Sequence, residues 1–266
     1  MTEAGNMDTN TQNKLEGLGK KSAERSLSKN VFLPEWPKSK RGTPNSFLRS
    51  ALFSAIQSKD RVLMKDVLLA SQNNITIHYT GEQLNQEDLT LWETLVHLTR
   101  SSNLGSVCEF SCYEILKSMQ MNTGVLDYER LDVGIERLAT AYVNINEKQY
   151  FGSMILQGSK DKADGRYRLQ LNRLLINLYQ QNTWIDWDER LLLRKKPLAQ
   201  FLHGYFSSHT KPYPITIEKI QQLSGSRTKR LAKFKENLKI ALDELVLISF
   251  LMSYQIENNL LTVSKK

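Results

Sequence analysis

The chain has 266 residues, 40% of them hydrophobic, enough for one large core or two small domains. Lysine and arginine outnumber the acids 36 to 28, a formal charge of +8 that favours a polyanionic partner without specifying a fold. No apolar run of about 18 residues occurs, so no membrane span or membrane partner is expected. The polar opening MTEAGNMDTNTQNKLEGLGKK holds no signal-peptide core, so the expected location is the cytoplasm.

Residues 1–30 carry too few large apolar groups to offset chain entropy and read as a flexible, disordered tail. VFLPEWPKSKRGTP (31–44) follows, with Pro34, Pro37 and Pro44 favouring an extended path from which Phe32, Leu33 and Trp36 can dock. Residues 31–84 are taken as this connector and an N-terminal packing segment. An amphipathic helix is expected from Gln86 to Arg100, through Leu89, Trp92, Leu95, Val96 and Thr99. VCEF (107–110) reads as a strand, and SCYEILKSMQ (111–120) as a short helix capped by Ser111. A longer helix, Asp127 to Tyr142, places Leu131, Ile135, Leu138 and Tyr142 at helical spacing. YVNINEKQY and FGSMILQG read as strands, KDKADGR as a polar turn, and YRLQL as the returning strand.

The same order then recurs. Glu189 to His209 has an apolar stripe of Leu192, Leu198, Phe201, Leu202, Tyr205 and Phe206, with a bend or boundary at Lys196–Pro197. PYPITI reads as a strand, EKIQQLS as a short helix, Gly225 as a turn, and Arg227 to Ile248 as a long helix. Two final strands flank Glu257–Asn259. Helix, strand, helix, longer helix and hairpin is the order of a winged helix. The expected fold class is therefore α+β, with tandem winged-helix (helix-turn-helix plus β-hairpin wing) domains at 85–183 and 184–266.

The strongest local signal is SGSRTKRLAKFKENLKIALDELVLIS (224–249). At about 100° per residue, Leu231, Phe234, Leu238, Ala241, Leu242 and Leu245 fall on one face. Lys229 and Lys233 point away from it, and Arg230, Lys235 and Lys239 flank it. In a helix that enters the major groove, Arg227 and Arg230 suit guanine edges, while the lysines suit phosphates as flexible point charges. Ser224 and Ser226 can cap the helix or donate to a phosphate. Charge alone would suggest only a solvated basic face; the place of this helix, third in a winged-helix order, favours DNA. In the first half, Arg130 and Arg137 share a face with Gly134, opposite the apolar stripe, and Lys160, Lys162, Arg166 and Arg168 lie on the wing. Asp127, Glu129, Asp132 and Glu136 dilute that charge, so a structural or dimerising role stands beside DNA contact there.

Signals for catalysis are poor, and neither an enzyme nor a cofactor nor a metal is expected. GSRTK lacks the spacing of a phosphate-binding loop. Cys108 and Cys112 have no zinc spacing and read as small buried thiols rather than a disulfide. His203 and His209 are too far round a helix to share a metal, and His78 and His97 are isolated. Asp186, Asp188 and Glu189 precede a helix, where acids stabilise its N-terminus.

Several segments together resemble the TrfA family of plasmid replication initiators: PNSFLRSALF (44–53), ITIHYTGEQL (75–84), CEFSCYEIL (108–116), ERLATAYV (136–143), YFSSHTKPYPITIE (205–218) and LSGSRTKRLAKFKENLKIALDEL (223–245). The resemblance covers most of the chain from Pro44 onward. It implies two winged-helix domains that bind repeated iterons in double-stranded plasmid origin DNA, with Arg227–Lys239 and Asp127–Tyr142 as the contacting helices. It also implies origin opening, recruitment of the host initiator and replicative helicase, and self-association in which dimers restrain copy number. Relatives can carry a Gln-Leu-x-Leu-Phe sliding-clamp motif before the Trp-Pro segment; KNVFLPEWP lacks its glutamine and Leu-Phe end, which puts a clamp contact in doubt. A winged-helix transcriptional regulator and a scaffold for acidic proteins are the competing readings.

Overall fold

A computed structural model describes residues 30–72, 74–146, 150–161 and 163–265. The expected tail therefore lies outside the described residues except at its last position. Phe32–Lys266 cluster as one unit. Its first element, β1 (Lys40–Pro44), continues into a one-turn helix, α1 (Asn45–Leu48). In the expected connector Leu33 and Trp36 are buried, whereas Phe32 stays 51% exposed. The Trp36 ring stacks on Tyr179 at 6.1 Å, and its indole N–H donates to His97 Nδ1 at 3.0 Å. Gly42 makes this possible, because a Cβ there would lie 2.6 Å from the ring.

The packing segment also contains a hairpin, β2 (Leu63–Leu69) and β3 (Ile77–Glu82). The next helix, α2 (Gln86–Thr99), matches expectation and is buried along nearly its whole length. Asn85 caps it by accepting from the Glu87 and Asp88 amides, while the Asp88 carboxylate accepts from the Asn85 amide. β4 (Val107–Ser111) leads into α3 (Cys112–Ser118), where Ser111 and Glu114 form a second capping box. α4 (Val125–Thr140) buries Leu131, Ile135 and Leu138. Tyr142 does not extend that stripe. The chain turns extended at Ala141, which places Tyr142, 46% exposed, on β5 (Tyr142–Ile145).

β5 and β6 (Tyr150–Gly152) join the N-terminal hairpin in a sheet of order β2-β3-β5-β6. The hairpin β7 (Ile155–Lys160) and β8 (Arg166–Leu171) pairs instead with β4, in the order β4-β8-β7. A short α5 (Ile176–Tyr179) precedes β9 (Asn182–Asp186), which runs antiparallel to β1 with Lys40 opposite Asp186.

The second half begins with two helices, so of the bend or boundary expected at Lys196–Pro197 the chain makes the boundary. α6 (Trp187–Leu192) and α7 (Pro197–Ser207) are separated at Lys195, which has φ +66°, and α7 starts on Pro197. The break turns Leu192 outward, 66% exposed, so it is not part of the apolar stripe. Asp186 caps α6 by accepting from the Glu189 amide, the role expected of these acids. β10 (Ile215–Thr216) is shorter than PYPITI suggested, and α8 (Ile217–Leu223), α9 (Leu231–Leu247), β11 (Leu251–Glu257) and β12 (Leu260–Lys265) complete the chain. Asn258 and Asn259, with φ +47° and +62°, make the two-residue hairpin turn. A core including Phe201, Phe206, Leu223, Phe234, Leu242 and Leu261 binds these elements together. Cys108 is half-buried and Cys112 buried, and both are free thiols.

One buried ion pair ties the halves together. Arg190 Nε of α6 lies 2.7 Å from a Glu93 carboxylate oxygen of α2, and neither side chain is exposed. Thr43 donates to the other Glu93 oxygen at 2.7 Å, and Arg190 Nη2 donates to the Gln86 carbonyl at 3.2 Å. Burial pushes the Glu93 carboxyl upward and the Arg190 guanidinium downward, and their mutual attraction opposes both shifts. Removing one partner strands the other charge. Arg190→Met is therefore expected to cost about 3–5 kcal/mol in urea unfolding, and Arg190→Met with Glu93→Gln distinctly less. A loss for Arg190→Met no larger than for a surface substitution would contradict this.

Candidate nucleic-acid interface

The basic helix starts later than its periodicity implies. Arg230, in extended conformation, is the N-cap residue of α9, and Arg227–Lys229 precede it outside the helix. Side-chain bonds hold this lead-in open: Ser226 Oγ accepts from the Thr228 amide at 3.2 Å, and Gln221 Nε2 donates to the Thr228 carbonyl at 2.6 Å. The helix itself packs as expected, with Phe234, Leu238, Ala241, Leu242 and Leu245 buried and Leu231 packed against them. Lys229, Arg230, Lys233 and Lys239 are exposed and Lys235 is half-buried. Lys233 lies 2.8 Å from Glu236, also on the surface. Among the described residues, Lys229, Arg230, Lys235 and Lys239 have no ion-pair partner within 4.0 Å. The first turn of α9 contains no acid, so nothing there offsets the positive end of the helix.

Two residues of this segment are committed elsewhere. Ser224 is fully buried, closes α8 and donates to the Gln221 carbonyl at 3.0 Å, so it is not available to a phosphate. Arg227 Nη1 donates to the Asp60 carbonyl at 2.7 Å, which makes it a strut to the N-terminal segment as well as an exposed cation.

The first half distributes its charge differently. Arg137 lies 2.7 Å from Asp88 and 3.1 Å from Glu82, with only 10% of its side chain exposed. Burial lowers its pKa, but the two carboxylates outweigh burial and hold it above the usual range. Arg137 thus faces the protein, not solvent. The reason is Gly134: a Cβ there would lie 2.8 Å from the Leu91 side chain, so this side of α4 sits close against α2. Arg130 remains 72% exposed, 3.5 Å from Asp127. On the hairpin, Lys160 is 2.7 Å from Asp132, which raises its pKa. Arg168 is 2.6 Å from Glu109, lowering the carboxyl, and Arg166 is 3.9 Å from the same group. Lys162 lies outside the described residues. The open face of α4 presents Leu126, Glu129, Arg130, Val133 and Glu136, a poor surface for phosphates.

The first half therefore neutralises most of its cations internally, and the second leaves a run of them free. Sequence reasoning missed the residues that hold this run in place, from Ala51 to Asp60. No periodicity marks them, although they overlap PNSFLRSALF (44–53).

A family profile described as TrfA protein matches residues 18–265. The chain belongs to the TrfA family. It is 24% identical over 220 residues to the plasmid replication initiator protein TrfA of Escherichia coli, a match covering 79% of this chain. It spans 58% of the length of that relative. Among solved structures, domains 2 and 3 of RctB superpose with a TM-score of 0.55 at 11% identity, covering 84% of this chain and 98% of that one. The Pi initiator protein, in a complex with iteron DNA, gives a TM-score of 0.50 at 12% identity over 73% of this chain and all of that one. At such identities the likeness is one of fold. In this TrfA-family chain two of the six segments carrying the resemblance fall on the N-terminal segment and on the basic run: PNSFLRSALF crosses α1, and LSGSRTKRLAKFKENLKIALDEL spans the end of α8 to most of α9.

The two kinds of cation differ in what they do for the fold. Arg137→Gln is expected to lower stability by about 2 kcal/mol in urea unfolding, through loss of charged hydrogen bonds to buried Asp88. Lys233→Gln should change it by less than about 0.5 kcal/mol. Equal losses would contradict the assignment.

Proposed function

We propose that this chain is a plasmid replication initiator. It binds iterons, repeated sequences at the plasmid origin, promotes opening of the adjacent duplex and recruits the host initiator and replicative helicase. Residues 85–183 and 184–266 act as two winged-helix domains, α4 and α9 being their third helices and β7–β8 and β11–β12 their wings. Residues 31–84 pack against both. The single observation that carries the DNA-binding reading is the basic run Lys229–Lys239 at the head of α9, in which Lys229, Arg230, Lys235 and Lys239 have no ion-pair partner among the described residues and Lys233 only a surface one, in a helix whose other face is core. Membership of the TrfA family supports the initiator role.

Arg230, at the N-cap, is the residue placed to reach a base edge, while Lys229, Lys233, Lys235 and Lys239 meet phosphates. Lys160, Arg166 and Arg168 engage the backbone from the first wing, exchanging weak surface ion pairs for phosphates. The chain performs no catalysis in this scheme, and it self-associates. Burial of Leu33 and Trp36 in the chain's own fold supports a reading without a direct sliding-clamp contact there.

The test is fluorescence-anisotropy binding to the parent plasmid's origin repeats against shuffled duplex at physiological salt. A preference of about a thousandfold or more is expected for specific recognition. Equal weak binding to both would overturn the reading. Arg230→Ala should cost roughly 1–3 kcal/mol on the repeat and relax one base preference. Lys233→Ala should weaken both duplexes alike and make the salt slope shallower by about one. Origin-dependent replication in a host supplied with this chain separates an initiator from a transcriptional regulator, since a regulator binds and does not replicate.

A further inference from the structure

The lead-in to α9 is held by the N-terminal segment rather than by its own half. The Ala55 amide donates to the Ser224 carbonyl at 2.6 Å, and Arg227 Nη1 donates to the Asp60 carbonyl at 2.7 Å. Between these bonds Gly225, at φ +60°, sits directly on Ser54. A Cβ on Gly225 would lie 2.4 Å from Ser54 Oγ and 2.8 Å from Ser54 Cβ, so no side chain fits without moving one of the two segments.

The opposite side of this segment is bonded to Gln83 and Leu84, which lead into α2, and to α2 itself. The Ser54 amide donates to the Leu84 carbonyl at 2.9 Å, and Gln83 Nε2 donates to Ser54 Oγ at 2.9 Å. Gln86 Nε2 donates to the Phe53 carbonyl at 2.5 Å. Arg61, just beyond, pairs at 2.7 Å with Asp88, the carboxylate that also holds Arg137 of α4. One continuous set of contacts thus runs from α4 through Asp88 and the N-terminal segment to the residues immediately before α9.

We propose that Ala51–Asp60 is a brace through which the first half orients the lead-in Ser224–Arg230, so that the base selectivity of the second half depends on the first. Ser54, which is buried, and Gly225, which is half-buried, are positioning residues. The inference rests on the DNA-binding reading of α9. The two fail separately: the reading fails if the wild-type chain shows no preference for its origin repeat, the brace if that preference survives displacement of the lead-in.

The experiment measures affinity for the origin repeat and for shuffled duplex in the full-length chain. Gly225→Ala is expected to lower repeat affinity about tenfold or more, because the reading groups are misplaced, and to change shuffled-duplex affinity less than about twofold, because charge is unaltered. Because Gly225 at φ +60° strains any alanine there, a second variant leaves the lead-in untouched: Gln83→Met, which removes the bond to Ser54 Oγ, should lower repeat affinity about threefold or more and change shuffled-duplex affinity less than about twofold. A parallel fall on both duplexes, or a repeat preference that Gln83→Met leaves unchanged, would each overturn the brace. Hydrogen exchange on the unmodified chain decides the matter if Gly225→Ala does not fold. Repeat DNA, and not shuffled DNA, should slow the amides of Ala55 and of Gly225–Thr228 together; protection of Gly225–Thr228 with Ala55 unchanged would overturn it.

Discussion

The Glu93–Arg190 pair sets the constraint on which the architecture depends. Two charges with no solvent exposure, 2.7 Å apart, are tolerated only where further hydrogen bonds help to replace lost water. Here Thr43 of β1 bonds the Glu93 carboxylate of α2, and the Gln86 carbonyl of α2 accepts from the Arg190 guanidinium of α6. Three segments far apart in sequence must meet correctly for those bonds to form. Pairing of β1 with β9 brings the N-terminal segment to the point where the halves adjoin. The contacts of Ala51–Asp60 follow from that placement. A pair of apolar residues would glue the halves without specifying one arrangement, whereas this charged pair penalises the others.

Net charge distributes unevenly over this frame. In the first half most candidate cations have acids within reach: Arg137 beside Asp88, Lys160 beside Asp132, Arg168 beside Glu109. In the second half the cations around the start of α9 are largely unmatched, Lys233 alone of the cations in Lys229–Lys239 having an acid within 4.0 Å among the described residues. The two halves share an order of elements yet divide their tasks. The first commits most of its candidate cations to ion pairs, and the second leaves cations exposed at the head of α9.

Much of this was legible in the sequence, for identifiable reasons. The apolar stripes of α2 and α9 announce themselves by period, and Ser111 and Asp186 cap the helices they were expected to cap, because these signals are local. Other features depend on distant partners. The strand Leu63–Leu69 contains a register shift between Met64 and Val67 and exposes Leu63 and Leu68, so no clean alternation marks it. β5 was readable at the start of YVNINEKQY, but FGSMILQG, read as one strand, is divided between β6 and β7. The pairing of β5 with β3 rather than with the adjacent hairpin was not readable. Helical rotation placed Arg137 opposite the core because it could not show that Gly134 admits α2 on that side. Arg227–Lys229 have ordinary helix propensity, and the bonds from Gln221 and Ser226 override it. Ser224 looked like a phosphate ligand until its burial made it the cap of α8.

The claim that the second half reads the duplex, with the first as its support, is tested most directly by site-specific photocrosslinking to the origin repeat. A benzophenone side chain is placed at Ala232, exposed on α9, and in a separate preparation at Val133, 50% exposed on α4. The expected result is an efficient crosslink to DNA from position 232 and little from position 133. A crosslink from position 133 as strong as that from 232, or from 133 alone, would contradict the account.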